Sequence, residues 1–232
     1  MPTKGLSWLA IALVLAMLLA ACSNNTSTHS AYVTLPTTNR VLAYRIRNDN
    51  GELAHPFGGS FLTGMSPVAV AIHPNNRWVY VANAGENDIS LYKVDSSSGA
   101  LEEVLPRTTT ALRPSSLAVD PGGNFLYVVN IGVNGVSSFS IDQSHGTLTP
   151  IAGSPVATGL SPASIAVTPS GKFVYVPNTN SDSISAYSVN AGGILKPVLT
   201  NGVSLLGTGN ASQGFPDGTN ARRMQAGLRF VF

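Results

Sequence analysis

WVYVAN, residues Trp78–Asn83, is the first of three closely related hexapeptides in this chain. The others are FLYVVN at Phe125–Asn130 and FVYVPN at Phe173–Asn178, so the central tyrosine recurs after 47 and then 48 residues. A fainter copy has its tyrosine at Tyr32, 48 residues before Tyr80. A period of this size indicates stacked supersecondary units, each of which needs its neighbours to cover its apolar faces.

One period of the repeat holds four predicted strands. A short apolar run such as residues 68–72 comes first and leads into a turn such as residues 120–123, DPGG, where proline fixes φ and glycine accepts positive φ. The hexapeptide is continuously apolar, which is typical of a strand covered on both faces. A third strand alternates, as in residues 184–189, and a glycine then leads to a more polar fourth strand that starts at a leucine. The sequence therefore predicts an all-β fold, a β-propeller of four-stranded blades.

Residues 31–206 supply about four blades, with boundaries near 31–65, 66–112, 113–160 and 161–206. The first blade lacks its inner strand. Residues 207–232 form a linker and a C-terminal strand, 224–232, which either completes the first blade and closes a small ring or is the remnant of a truncated or fused gene. An open arc would expose apolar blade faces, and exposed patches of that kind favour self-association or a partner.

The N-terminus has the pattern of an export signal. Residues 1–21 carry Lys4 and an apolar run over residues 6–19, and the single cysteine, Cys22, follows Leu-Ala-Ala. This resembles the lipobox of bacterial lipoproteins, which implies cleavage before Cys22, lipidation of its sulfur and a membrane anchor. Residues 22–30 would then be a tether. Ser23, where the resemblance associates aspartate with inner-membrane retention, favours the outer membrane of the cell envelope.

Composition argues against nucleic acid as a partner. Charged residues are 10% of the chain and the net charge is +2, whereas an average soluble domain has about 25% charged residues. No basic stripe is available to neutralise a row of phosphates.

The repeated elements also resemble a known family. Tyr-Val-x-Asn, found in the three hexapeptides, together with the Ser-Pro and Asp-Pro-x-Gly elements, is similar to the YVTN-type repeats of the lactonase-family seven-bladed propellers. The resemblance covers roughly residues 31–200, so the family is represented only in part. It implies a propeller fold and, as one activity, hydrolysis of lactones like those of 6-phosphogluconolactonase relatives.

Seven residues are candidates for a ligand or catalytic site. His73 stands where the other blades have aspartate and threonine and is a candidate general base; the alternative is a solvated turn residue before proline. The loop carboxylates belong to loops that are predicted to surround the channel entrance. They could hold a divalent cation, although no motif supports a metal, or could simply be solvated. The repeated asparagines either satisfy backbone groups at strand ends or form a ring of ligands at the channel mouth. The loop carboxylates are Glu86, Asp88 and Asp182, and the asparagines are Asn83, Asn130 and Asn178.

No nucleophile elbow, phosphate loop or dinucleotide fingerprint is present. The sequence alone therefore favours a membrane-anchored binding module for an envelope protein or glycan over an enzyme, without a required cofactor. The alternative function is a lactone hydrolase.

Overall fold

The computed structural model describes residues 29–47, 50–54 and 59–198. The predictions for the signal segment, Cys22, most of the tether and residues 207–232 lie outside these residues. In the described part of the chain every regular element is a strand, and no helix there could cross a membrane.

Four antiparallel sheets follow one another along the chain, as the repeat predicts. The first contains β1 (His29–Leu35), β2 (Arg40–Ile46), β3 (Leu53–Ala54) and β4 (Ser60–Leu62). The second contains β5 (Pro67–Ile72), β6 (Trp78–Asn83), β7 (Asp88–Val94) and β8 (Leu101–Thr109). The third contains β9 (Pro114–Val119), β10 (Phe125–Asn130), β11 (Gly135–Ile141), β12 (Leu148–Pro150) and β13 (Val156–Ala157). The fourth contains β14 (Ala166–Val167), β15 (Phe173–Asn178), β16 (Ser183–Val189) and β17 (Leu195–Pro197).

The sheets are propeller blades, which confirms the predicted fold class. In the second blade the order β5-β6-β7-β8 runs from the inner to the outer strand, and β5 contacts β9, the inner strand of the next blade. In the first blade β1 is an edge strand, and no described residue supplies a strand inside it. Three apolar clusters fill the three junctions between successive blades. The hexapeptide of the second blade is buried throughout because both faces of its strand are covered.

Each junction carries the same hydrogen bond, which we call the tyrosine–glycine lock. The hexapeptide tyrosine donates its hydroxyl to the carbonyl of a glycine in the turn before the outer strand of the next blade. These glycines have φ near +73°, and a Cβ on each would meet the side chain two residues before the tyrosine. The locks are Tyr32 to Gly99 at 3.1 Å, Tyr80 to Gly146 at 2.8 Å and Tyr127 to Gly193 at 3.4 Å.

Candidate functional site

His73 lies at the end of β5 that is remote from the loop carboxylates. The register pairs Pro67 with Asn83 and Ile72 with Val79, so His73 and Asn83 are at opposite ends of the blade. His73 is only 2% exposed, because the turn of the next blade packs on its ring through Gly123. The alternative interpretation of a solvated turn residue is therefore wrong.

The His73 ring has structural partners on both nitrogens. Its Nδ1 accepts a hydrogen bond from the backbone N–H of Asn75 at 3.2 Å, which leaves the proton on Nε2, 2.9 Å from the carbonyl of Gly123. Asp120 has the corresponding task in the third blade, where it accepts hydrogen bonds from the backbone N–H groups of Gly122 and Phe125. The residue types differ between blades, but each caps the turn after an inner strand. The lone pair that a general base would need is occupied.

The repeated asparagines join the second and third strands of their blades. Asn83, Asn130 and Asn178 are buried, and each donates its side-chain N–H to a serine hydroxyl on the third strand at 2.8–3.0 Å. Among the contacts within the described ranges, only the side chain of Asn130 also bonds a backbone group, the carbonyl of Val128. Loop glycines cover two of them: a Cβ on Gly64 would lie 2.5 Å from Nδ2 of Asn83. In this arrangement the amides are packed inside the blade.

The loop carboxylates of the second blade belong to a charged cluster. Arg107 Nη1 lies 3.0 Å from Glu86 Oε2, and Arg107 Nε lies 2.7 Å from Glu103 Oε1. Glu86 Oε2 also accepts a hydrogen bond from the backbone N–H of Met65. Asp88 Oδ1 accepts one from Asn83 Nδ2 at 2.7 Å. The guanidinium thus provides the positive charge that a cation would supply.

Burial raises the pKa of Asp88 above its ordinary value, although the hydrogen bond from Asn83 and the charge of Arg107 oppose the shift. The hydrogen bond to Glu103 raises the pKa of Arg107, so the guanidinium keeps its charge. Glu86, Asp88, Leu105, Pro106 and Arg107 line a shallow, open depression beside β8. The depression borders the outermost strand of the blade, because Leu105, Pro106 and Arg107 belong to β8.

Two members of this cluster were not selected from the sequence. Glu103 and Arg107 are four residues apart in β8, a spacing that puts both on one face of an extended strand and could have indicated the pair. The pairing of β7 with β8 shifts register between Ile89 and Leu91, which separates Leu105 and Pro106 from the regular ladder. No group of three or more His, Cys, Asp or Glu residues within the described ranges is arranged to hold a metal ion.

Asp182 is separate from the cluster, two blades further along the chain. It has a positive φ of 45°, like the residues at the same place in the other blades, Asn39, Asn87 and Asn134. Its carboxylate has no hydrogen-bond partner among the residues that the structure describes. No hydrogen bond or ion pair among the described residues joins Asp182 to the cluster of Glu86, Asp88, Glu103 and Arg107.

An apolar row follows the loops that lead into the inner strands. Met65, Leu112 and Leu160 occupy the same place in three successive blades and are 53%, 51% and 56% exposed. Their backbone carbonyls accept hydrogen bonds from the neighbouring loops, from Gly85, Gly132 and Asn180 respectively. We call these three residues the apolar rim, since they stand directly before the strands nearest the channel.

Comparison with known proteins defines the class to which this fold belongs, the lactonase-type propellers. The chain belongs to the lactonase, seven-bladed β-propeller family, whose family model matches residues 22–160. No curated protein matched the sequence.

Solved structures of similar fold include three of bacterial origin. A candidate 6-phosphogluconolactonase of Bacteroides uniformis is 22% identical with a TM-score of 0.66, over 73% of this chain and 50% of its own. The periplasmic gluconolactonase of Pseudomonas aeruginosa is 20% identical with a TM-score of 0.61, over 74% and 53%. A protein from Lactobacillus plantarum is 24% identical with a TM-score of 0.61, over 74% and 54%. This chain thus spans about half the length of the structures it matches.

Proposed function

We propose that the protein takes part in the hydrolysis of sugar lactones. The observation that carries the proposal is membership of the lactonase propeller family, and two structural neighbours bear gluconolactonase names. This support favours the lactone hydrolase alternative over the binding module that the sequence alone favoured.

The depression beside β8 has the groups that this reaction needs. Asp88 has a raised pKa, which brings its basicity closer to neutral pH and suits a general base. In the proposed step, Asp88 takes a proton from water as the water oxygen bonds to the lactone carbonyl carbon. Arg107 stabilises the negative charge on the carbonyl oxygen. The ring C–O bond then breaks, and the proton passes from Asp88 to the leaving oxygen, which gives the open hydroxy acid.

The test measures turnover of a panel of five- and six-membered sugar lactones, with and without a phosphate group. Turnover is monitored through the protons that the product acid releases. Asp88→Asn should lower kcat by about 10²–10⁴-fold, the usual contribution of a positioned acid or base. Arg107→Gln should lower it as well. Arg47→Gln is the matched control, because Arg47 forms an exposed ion pair with Glu52 away from the depression. If turnover survives both substitutions, the active site is not in this depression. If the unmodified protein turns over no lactone, the proposed function is wrong.

A second candidate function is a binding module, and the apolar rim favours it. The inner strands beside the rim, PVAVAI at Pro67–Ile72 and PSSLAV at Pro114–Val119, carry no ionisable side chain. A rim held in place by backbone hydrogen bonds is preorganised for a neutral or apolar surface, such as the apolar face of a glycan.

This candidate is tested by binding of glycan arrays and peptidoglycan fragments to the protein and to a variant with serine at Met65, Leu112 and Leu160. We expect binding to be lost in the variant and kept after Val198→Ser, at an exposed apolar residue away from the rim. Binding that is unchanged in the triple variant would exclude the rim as the contact surface.

For both functions we propose a location in the cell envelope, with Cys22 lipidated after removal of residues 1–21. Metabolic labelling with an alkyne fatty acid should label the protein and should not label Cys22→Ser.

A further inference from the structure

The face of the fourth blade that carries Tyr175 is half of an inter-blade junction. Tyr175 is equivalent to Tyr80 and Tyr127, whose hydroxyls form locks, but its own hydroxyl has no partner among the described residues. Phe173 is equivalent to Trp78 and is 39% exposed, whereas Trp78 packs on the glycine of the next blade and is buried. We call this surface the leading face.

The opposite face of the first blade is the other half of the same junction. Gly51 is equivalent to the lock glycines and has φ +73°, yet a Cβ placed on it would meet none of the residues that the structure describes within 4 Å. Val33 is 44% exposed, and Tyr44 is partly exposed. The valines that correspond to Val33 in the other three blades, Val81, Val128 and Val176, are completely buried. We call this surface the trailing face.

We propose that the 232-residue chain assembles with a second copy of itself, the leading face of each copy docking on the trailing face of the other. Tyr175 would then donate its hydroxyl to the carbonyl of the partner's Gly51, and Phe173 would pack on that glycine. The occupant is a second copy because each copy presents both halves of a junction that the chain itself forms three times. The proposal is independent of the lactone hydrolase.

Two copies arranged in this way form a closed assembly. A twofold axis along the channel relates the two junctions, so the same contact is used twice and no face is left open. Eight blades lie within the range of four to eight that propellers adopt. Each blade would then turn by roughly 45°, against roughly 51° in a seven-bladed ring, a small adjustment at each junction.

The experiment is sedimentation velocity of the full chain over a range of concentrations, in a detergent matched in density to water. We expect a dimer. Gly51→Asn is the decisive variant, since asparagine accepts positive φ and finds open space in one copy but would clash with Phe173 of the other. It should raise the dimer dissociation constant at least about tenfold, that is by about 1.4 kcal/mol. Gly153→Asn is the matched control, because Gly153 also has a positive φ and open space but lies in the third blade, away from both terminal faces.

Circular dichroism melting of both variants shows whether they are folded, and a stop codon at position 199 tests whether the C-terminal residues cover a face. A dimer that is lost in Gly51→Asn and kept in Gly153→Asn supports the proposal. A monomer at all concentrations overturns it, as does a dimer equally stable in Gly51→Asn. A full chain that is monomeric and dimerises only after removal of residues 199–232 also overturns it, because those residues would then be the cover. Open-ended polymers would refute the closed ring.

Discussion

Asn134 Oδ1 accepts a hydrogen bond from the backbone N–H of Ser161 at 2.9 Å, and this contact ties the third blade to the start of the fourth. Both residues have positive φ. The same contact joins Asn39 to Ser66 at 2.9 Å and Asn87 to the backbone N–H of Arg113 at 2.7 Å. It lies at the end of the blades where the loops carrying Asn39, Asn87 and Asn134 are found, and the tyrosine–glycine lock lies at the other end. Every described junction is therefore fixed at both ends.

Substitutions of Asn134 can therefore separate the contribution of its hydrogen bond to stability from the contribution of its backbone conformation. Asn134→Gly keeps the backbone conformation and loses the acceptor, so we expect a loss of about 1–2 kcal/mol in the free energy of unfolding. Asn134→Ala also strains the backbone and should lose more. Asn134→Asp keeps the acceptor, as Asp182 would at the equivalent position, and should remain near the original stability. Urea unfolding measures all three, and an aspartate variant as unstable as the alanine variant would contradict this account.

Substitution of two glycines by alanine can distinguish the stability lost through backbone strain from the stability lost through steric crowding. Gly146 has φ +72°, and a Cβ on it would lie 2.5 Å from the Trp78 ring. Gly153 has φ +84°, and a Cβ on it would have no atom of the described part of the chain within 4 Å. Gly153→Ala should lose about 1 kcal/mol through backbone strain alone. Gly146→Ala should lose a further 1–3 kcal/mol or so, because the ring must move. Equal losses in thermal unfolding would show that the lock glycines are required only for their φ.

Ser30 leaves space at the junction of the first two blades. It stands where the next two blades have Trp78 and Phe125 against a lock glycine, and a cavity of about 360 Å³ lies beside it. Ser30→Phe should fill part of this cavity and raise the free energy of unfolding by about 1 kcal/mol, below the value for full burial of the side chain. Ser30→Ala, which removes the hydroxyl without filling the space, is the control. A lower melting temperature for the phenylalanine variant would mean that the site is already filled.

Asp95 makes the stability of the folded protein depend on pH in the acidic range. Its Oδ1 accepts hydrogen bonds from the hydroxyls and backbone N–H groups of Ser97 and Ser98, and these bonds lower the pKa of Asp95 well below its ordinary value. A carboxyl with a lowered folded-state pKa stabilises the protein above its unfolded pKa of about 3.9 and loses that contribution as the pH falls toward the folded value. The melting-temperature difference between the original protein and Asp95→Asn should therefore be constant from pH 7 to 5 and shrink from pH 4 to 2. A difference that grows at low pH would contradict a lowered pKa for Asp95 in the folded protein.

His73 is predicted to act on stability and not on catalysis. His73→Ala removes a buried ring and two hydrogen bonds, so we expect a loss of about 2–3 kcal/mol. His73→Asn, which keeps an acceptor for the turn as Asp120 does, should recover part of this loss. Turnover per folded molecule should be the same in all three proteins. If a folded His73→Asn variant had no lactone turnover, His73 would again be a candidate general base.

The sequence was sufficient for the fold because its main determinants are repeated. Tyr80, Tyr127 and Tyr175 recur in register with the turn glycines, and all four outer strands begin at the predicted leucines. The site was harder to predict because its contacts join positions that no spacing connects. Burial of His73 depends on Gly123 of the next blade, and the meeting of Arg107 with Glu86 depends on a register shift in β8.

The tyrosine–glycine lock always points the same way along the chain, from each blade to the one synthesised after it. A newly made blade therefore has an unbonded tyrosine until the outer turn of its successor has formed, because the glycine that accepts its hydrogen bond lies 66 or 67 residues further along the chain. Couplings of this nearest-neighbour kind make the ends of an array less stable than its middle. In a single copy, at concentrations too low for two copies to associate, backbone amides in β6 and β10, which have a blade on either side, should exchange with deuterium more slowly than those in β1 and β16.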